Sequence, residues 1–234
     1  MKRSEINAIM REGVAFIAEC RFALPPFAFW TPDEWRRKGP ECAPLVERQL
    51  GWDITDFGSG AFEKRGLLLF TLRNGYADGR RGLVYCEKIM VVRENQESPL
   101  HFHFQKTEDI MVRGGGRLWM QIWVATPTGR RSDRPVVLEQ DGCRVEKPAG
   151  ARWVFEPGES VTLHPYVYHR FWGEPGGGPV LVGEVSRVND DHKDNRFFEA
   201  IGRFPVIEED EPPWHLLVGD YARWFRPGQR RVTG

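Results

Sequence analysis

From about residue 52 the chain is a succession of short β-rich runs: "GLLLFTLRNG", "LVYCEKIMVV", "RLWMQIWVA", "PVVLEQDG", "CRVEKPAG", "ARWVFEPG" and "ESVTLHP". Gly, Pro and Asn-Gly signals separate them. Strands this short, at this regular spacing, restrict the fold to a sandwich or a barrel. The 15 Phe, 9 Trp, 25 Gly and 17 Pro suit strands joined by many turns better than a helical bundle. One strong helix precedes the strands. Residues 4–21 carry Ile6, Ile9, Met10, Val14, Ile17 and Cys20 at helical spacing, with Ser4 as N-cap and "LPPF" as the stop. A second, short helix starts at Thr31-Pro32, where a capping residue precedes proline. The expected organisation is a single domain, 1–234, with a helical flank (1–50), a barrel (52–190) and an irregular C-terminal extension (191–234).

Lys plus Arg and Asp plus Glu balance at 33 each, so no polyanion-binding surface is expected and nucleic acid is a poor partner. The N-terminus lacks the apolar run of a signal peptide, and no apolar stretch is long enough to span a membrane. Cys20, Cys42, Cys86 and Cys143 form no C-x-x-C pair. They read as scattered reduced thiols in a cytoplasmic protein.

The segment "ESPLHFHFQKTEDIMVRGGG" places His101 and His103 two residues apart. In a strand such residues share a face, so their imidazoles converge and Phe102 packs on the other side. Glu108 is out of phase with them and joins only if a turn or bulge falls within 104–107. A further imidazole must come from elsewhere, and "PGESVTLHPYVYHRFWG" supplies His164 and His169. Three neutral imidazoles and one carboxylate suit Mn, Fe, Co, Ni or Zn, and leave a divalent ion positive enough to act as a Lewis acid.

Taken jointly, "HFHFQKTEDIMVRGG" and "PGESVTLHPYVYHRF" resemble the two motifs of the cupin superfamily. The first matches through His101, His103, Glu108 and Gly115. The second implies His169 as the fourth ligand. Two departures stand out: Asn95 replaces the glycine that opens the first motif, and His164-Pro165-Tyr166 replaces a Pro-Pro-Gly in the second. The resemblance narrows further. "LPPFAFWTPDEW", "GWDITDFG", "GLLLFTLRNG", "HFHFQKTEDI", "GEVSRVNDDHKDNRF" and "RFPVIEEDE" are similar to the D-lyxose isomerase family of cupins, from about residue 1 to 221. That resemblance implies a mainly β, jelly-roll cupin barrel behind an N-terminal helix. It also implies interconversion of D-lyxose with D-xylulose and of D-mannose with D-fructose. A divalent ion, commonly Mn2+, with Co2+, Fe2+, Ni2+ or Zn2+ as alternatives, and a homodimer come with it.

Aldose–ketose isomerisation moves one hydrogen between C2 and C1, so it needs a base near both carbons and a cation or acid at the oxygens. Lys106, between the histidines and Glu108, is expected to serve the oxygens and bind substrate. Candidates for the base are Glu184, with Asp190 and Asp191 nearby as substrate-binding residues, and Glu208, followed by Glu209. The acidic run "EED" would then fold over the barrel mouth as a lid. Trp30 and Phe27 are candidate pocket-lining residues. Two rival readings remain: a redox-metal oxygenase or decarboxylase on the same ligands, and a non-catalytic sugar-binding cupin.

Overall fold

A computed structural model describes residues 1–80, 82–188, 193–202 and 205–227. The helices are α1 (Arg3–Glu19), α2 (Pro32–Arg37), α3 (Ala43–Glu47) and α4 (Tyr221–Trp224). The strands are β1 (Gly51–Thr55), β2 (Leu67–Arg73), β3 (Tyr85–Val92), β4 (Ser98–His103), β5 (Glu108–Gly115), β6 (Leu118–Val124) and β7 (Val136–Gln140). They continue with β8 (Cys143–Lys147), β9 (Arg152–Phe155), β10 (Ser160–Leu163), β11 (Val167–Gly173), β12 (Val180–Arg187) and β13 (Asn195–Phe197). They form two antiparallel sheets, ordered β1-β2-β3-β12-β5-β10-β7-β8 and β13-β4-β11-β6-β9. This is the mainly β, cupin-type barrel with an N-terminal helix. All seven β-rich runs are strands. Among the described residues no helix is long and apolar enough to cross a membrane.

Two apolar cores explain why some strands alternate and others do not. The inner core fills the barrel between the sheets, with Met90, Val92, Ile110, Val112, Met120, Ile122 and Phe171 among its residues. The outer core lies between α1 and the back of β1–β3, where Ile6, Met10 and Ile17 meet Trp52, Ile54, Leu68, Phe70, Ile89 and Val91. The continuous run "LLLF" in β2 therefore has both faces buried. Leu67 faces the barrel interior, while Leu68 and Phe70 face the helix. Gly13 permits the close approach of α1, since a Cβ there would lie 2.3 Å from a Leu68 methyl.

The N-cap of α1 is Lys2, not Ser4. The Lys2 N–H donates to the Glu5 carboxylate at 2.8 Å. Ser4 is taken by a tertiary partner: its hydroxyl donates to Asp210 at 2.6 Å. The cause is a parallel bridge in which Arg3 N–H donates to Glu208 O and Glu208 N–H to Met1 O. The buried Arg3 guanidinium then holds Glu209 and Asp220 together, with four contacts of 2.8–3.0 Å. The acidic run is thus latched to the N-terminus. At α2 the expected cap is present: Thr31 and Glu34 form a reciprocal capping box.

Candidate metal centre and active site

The eight-stranded sheet sorts its inner face by polarity. Register aligns Thr71, Lys88, Glu184, Ile110 and Val161 in one cross-strand row. The row on one side holds Cys86, Ser186, Glu108 and Leu163. On the other side Leu69, Met90, Val182 and Val112 are all apolar. One end of the barrel interior is therefore polar and the rest is packed with hydrocarbon.

The facing sheet contributes the histidines. His101 and His103 lie on β4 and His169 on β11, with His169 directly opposite His101 in the register. Phe102 points to the far side, where it packs against the rings of Phe104, Tyr166 and Tyr168. Candidate ligand atoms of the three histidines gather within 4.8 Å of one another. Glu108 reaches them from the opposite wall. Residues 104–107 carry the chain from one sheet to the other, so the phase break is a crossover between sheets and not a bulge within a strand. Glu108 Oε1 lies 3.3 Å from Nε2 of both His103 and His169.

His164, the alternative donor, is exposed in the turn after β10. We expect His164→Ala to leave metal content unchanged and His169→Ala to lower it sharply, as read by metal analysis after dialysis.

The donor set fits a divalent ion. His101 Nδ1–H donates to Pro99 O at 2.8 Å and His169 Nδ1–H to Val167 O at 3.1 Å. A carbonyl only accepts, so each ring is protonated at Nδ1 and presents the Nε2 lone pair. Both ring nitrogens of His103 and Oε1 of Glu108 are buried without an aligned hydrogen-bond partner. Orphaned buried acceptors are costly unless something satisfies them. A cation bound by His101, His103, Glu108 and His169 would satisfy the inward-facing ones at once.

Behind the carboxylate runs a chain of alternating charge. Lys106 Nζ contacts Glu108 Oε2 at 2.6 Å and Glu184 Oε1 at 2.9 Å. The same Glu184 oxygen accepts from Lys88 Nζ at 3.4 Å and from the Ser186 hydroxyl at 3.2 Å. All five residues are buried. Burial works to raise the Glu108 carboxyl pKa, but Lys106 and the imidazoles outweigh it and hold the group well below the usual range. Burial, then the neighbouring imidazoles, hold His101 well below its ordinary value. Burial pushes His169 down to about 4, against the pull of Glu108.

These directions set a pH window. Between pH 6.5 and about 4 the unfolded chain protonates its histidine at position 169 and the folded metal-free chain does not. The unfolded state binds more protons there, so stability falls as pH drops through that window, by about 3 kcal/mol for this one residue. Thermal denaturation of metal-free protein from pH 7 to 4 checks it, and the slope should shrink in His169→Gln. Protons should also compete with limiting metal nearer pH 4 than the pH 6.5 of free histidine.

Other sequence candidates fall away from this cluster. Glu208 is exposed, with its backbone tied to the N-terminus, and Glu209 is paired to Arg3, so neither forms a lid carboxylate over the metal cavity. Trp30 packs edge-on against Trp35 at 5.2 Å with the Lys38 ammonium over its ring, and Phe27 packs on Phe70 behind β2. Neither aromatic lines the cavity. Asp190 and Asp191 lie outside the described residues. Lys88 escaped sequence reasoning, although a signal existed: it is in phase with Cys86, Met90 and Val92 on the otherwise apolar inward face of its strand. β13 was also missed, being only three residues long; it sets Phe197 opposite His101.

Both motif departures preserve backbone geometry. Asn95 and Tyr166 adopt φ of 56° and 62°, the left-handed region where a glycine would otherwise be expected. Asn tolerates it well, and Tyr166 is held there by donating its N–H to His103 O at 2.9 Å.

A two-sheet barrel with three histidines and a glutamate converging at its polar end defines a cupin with a mononuclear-type metal pocket. The family model for D-lyxose isomerase matches residues 1–221. The D-lyxose/D-mannose isomerase of Serratia proteamaculans is 46% identical over 229 residues, 96% of this chain and all of that protein. Its counterpart from Escherichia coli O157:H7 is 45% identical over 228 residues, 97% of this chain and all of that protein. The chain belongs to the D-lyxose isomerase family, and it is a sugar isomerase. Among solved structures, an L-ribose isomerase variant from Acinetobacter sp. DL28 with L-ribose bound shares the fold. It has a TM-score of 0.59 at 16% identity, over 89% of this chain and 98% of that one. The L-ribose isomerase of Geodermatophilus obscurus has the same TM-score at 17% identity and the same coverage.

Proposed function

We propose that this enzyme interconverts D-lyxose with D-xylulose and D-mannose with D-fructose. It does so with a divalent ion, Mn2+ foremost, held by His101, His103, Glu108 and His169, as a cytoplasmic homodimer. The observation that carries this reading is the buried Lys106–Glu184 ion pair set directly against the four-donor cluster. A divalent ion held by these four residues would supply Lewis-acid polarisation of the sugar's reacting oxygens. Lys106, fixed by two carboxylates, hydrogen-bonds those oxygens and exchanges their protons. Glu184 takes the proton from C2 and returns it to C1 through an enediol. Its Oε1 accepts from Lys106, Lys88 and Ser186, which hold the carboxylate in one orientation. The apolar rows behind the site exclude water from the reacting carbons.

An oxygenase on the same ligands would have no use for a buried lysine–glutamate pair. A sugar-binding cupin would have no use for the complete donor set. Mn2+-loaded enzyme should convert both aldoses to ketoses in anaerobic buffer. In D2O some deuterium should enter C1 of the ketose. Ketose from neither sugar would remove the proposal. Ketose without any exchange would remove Glu184 as base and favour a hydride shift.

A further inference from the structure

Among the described residues, a second cavity adjoins the metal cavity. Asp53, Ile54, Leu69 and Lys88 line both. The outer cavity adds Thr71 and Asn74, and the Arg3 ion pairs with Glu209 and Asp220 also line it. Elsewhere the metal cavity is walled mostly by hydrocarbon: Phe57, Leu67, Met90, Ile110, Phe171 and Phe197. Ser98 and Asn195 on the five-stranded sheet and Thr55 on β1 are polar members of its wall, but none of them lines the outer cavity.

If the O1–O2 end of an open-chain sugar sits at the histidines and Lys106, the rest of the chain must leave in some direction. Each further carbon carries a hydroxyl, and a hydroxyl buried without a partner costs far more than one that finds it. The apolar walls offer no partners. The row Glu184–Lys88–Thr71 leads away from the cluster along one strand-to-strand line, with Asp53 in the adjacent row, opposite Leu69 on the edge strand β1. We propose that Asp53, Thr71 and Lys88 form the subsite for the distal end of the sugar, the C5–C6 end of a hexose. This rests on the isomerase reading above. D-Lyxose and D-mannose share their C2–C4 configuration, so the added CH2OH of the hexose reports on this subsite. Lys88 also steadies Glu184, so the test falls on Thr71 and Asp53.

Thr71→Val and Asp53→Asn, both near-isosteric, test the subsite. The kcat/KM ratio of D-mannose to D-lyxose, measured on one metal-loaded preparation, cancels any loss of folded fraction. That ratio should fall about tenfold in each variant, the scale of a hydrogen bond lost from a polar site. Thr71→Ser should restore it. An unchanged ratio overturns the subsite. Calorimetric binding of the alditols D-mannitol and D-arabitol gives a readout without turnover. D-Mannitol should bind more tightly to the parent, and the variants should remove the difference. A parent inactive on both aldoses would overturn the isomerase reading, while the alditols would still decide the subsite. An alditol difference that survives in both variants, or no binding of either alditol to the parent, overturns the subsite.

Discussion

Glu108→Gln should lower isomerase turnover by 10³-fold or more and weaken metal binding at least tenfold, on the scale of losing a charged ligand and its neighbours. The change is nearly isosteric, so the fold around it should persist. What changes is charge. Glu108 is the carboxylate among the four converging donors, and its second oxygen is the partner of Lys106. A neutral amide removes the anionic donor from the set and leaves the buried Lys106 facing one carboxylate instead of two. The amide also brings an NH2 group that one of its orientations would aim at His103 or Lys106. Metal analysis and steady-state kinetics on the same preparation check the result. Full metal content with full turnover would show that Glu108 is not a ligand.

Lys106→Met should cut kcat by about 10²-fold or more while metal content stays at the parent level, the usual scale for losing a positioned acid or electrostatic group. Methionine preserves length and apolar volume, so the loss is that of the ammonium. Lys106 is buried and within 3 Å of both Glu108 and Glu184. Without it two buried carboxylates lose their shared counter-ion, and the melting temperature should drop as well. A bound divalent ion would offset much of that cost at Glu108 but none at Glu184. The drop should therefore be larger in metal-free protein than in metal-loaded protein. Equal drops in the two states, or unaltered kcat, would place Lys106 outside the site.

Seven short β-rich runs with turn residues between them narrowed the fold to a sandwich or a barrel, and the motif resemblance chose the barrel. The two-residue repeat of a strand already put His101 and His103 on one face. The motif resemblance selected His169 over His164. Their five-residue offset straddles the turn at Pro165-Tyr166, so strand phase had no purchase on the choice. Only the tertiary structure put Glu108 opposite the histidines, because the crossover at 104–107 moves the chain between sheets. Only the tertiary structure, likewise, brought Lys88 to Glu184, 96 positions away in the chain. The same holds for what it removed. Glu208 and Glu209 carry the charge expected of a lid, yet the buried Arg3 claims Glu209 and the N-terminal backbone claims Glu208. Trp30 carries the apolar surface expected of a sugar platform, yet Trp35 and Lys38 claim it. Local periodicity reports which face of its own element a side chain occupies. Which groups then meet depends on strand order and register, and these are settled by contacts between residues far apart in the chain.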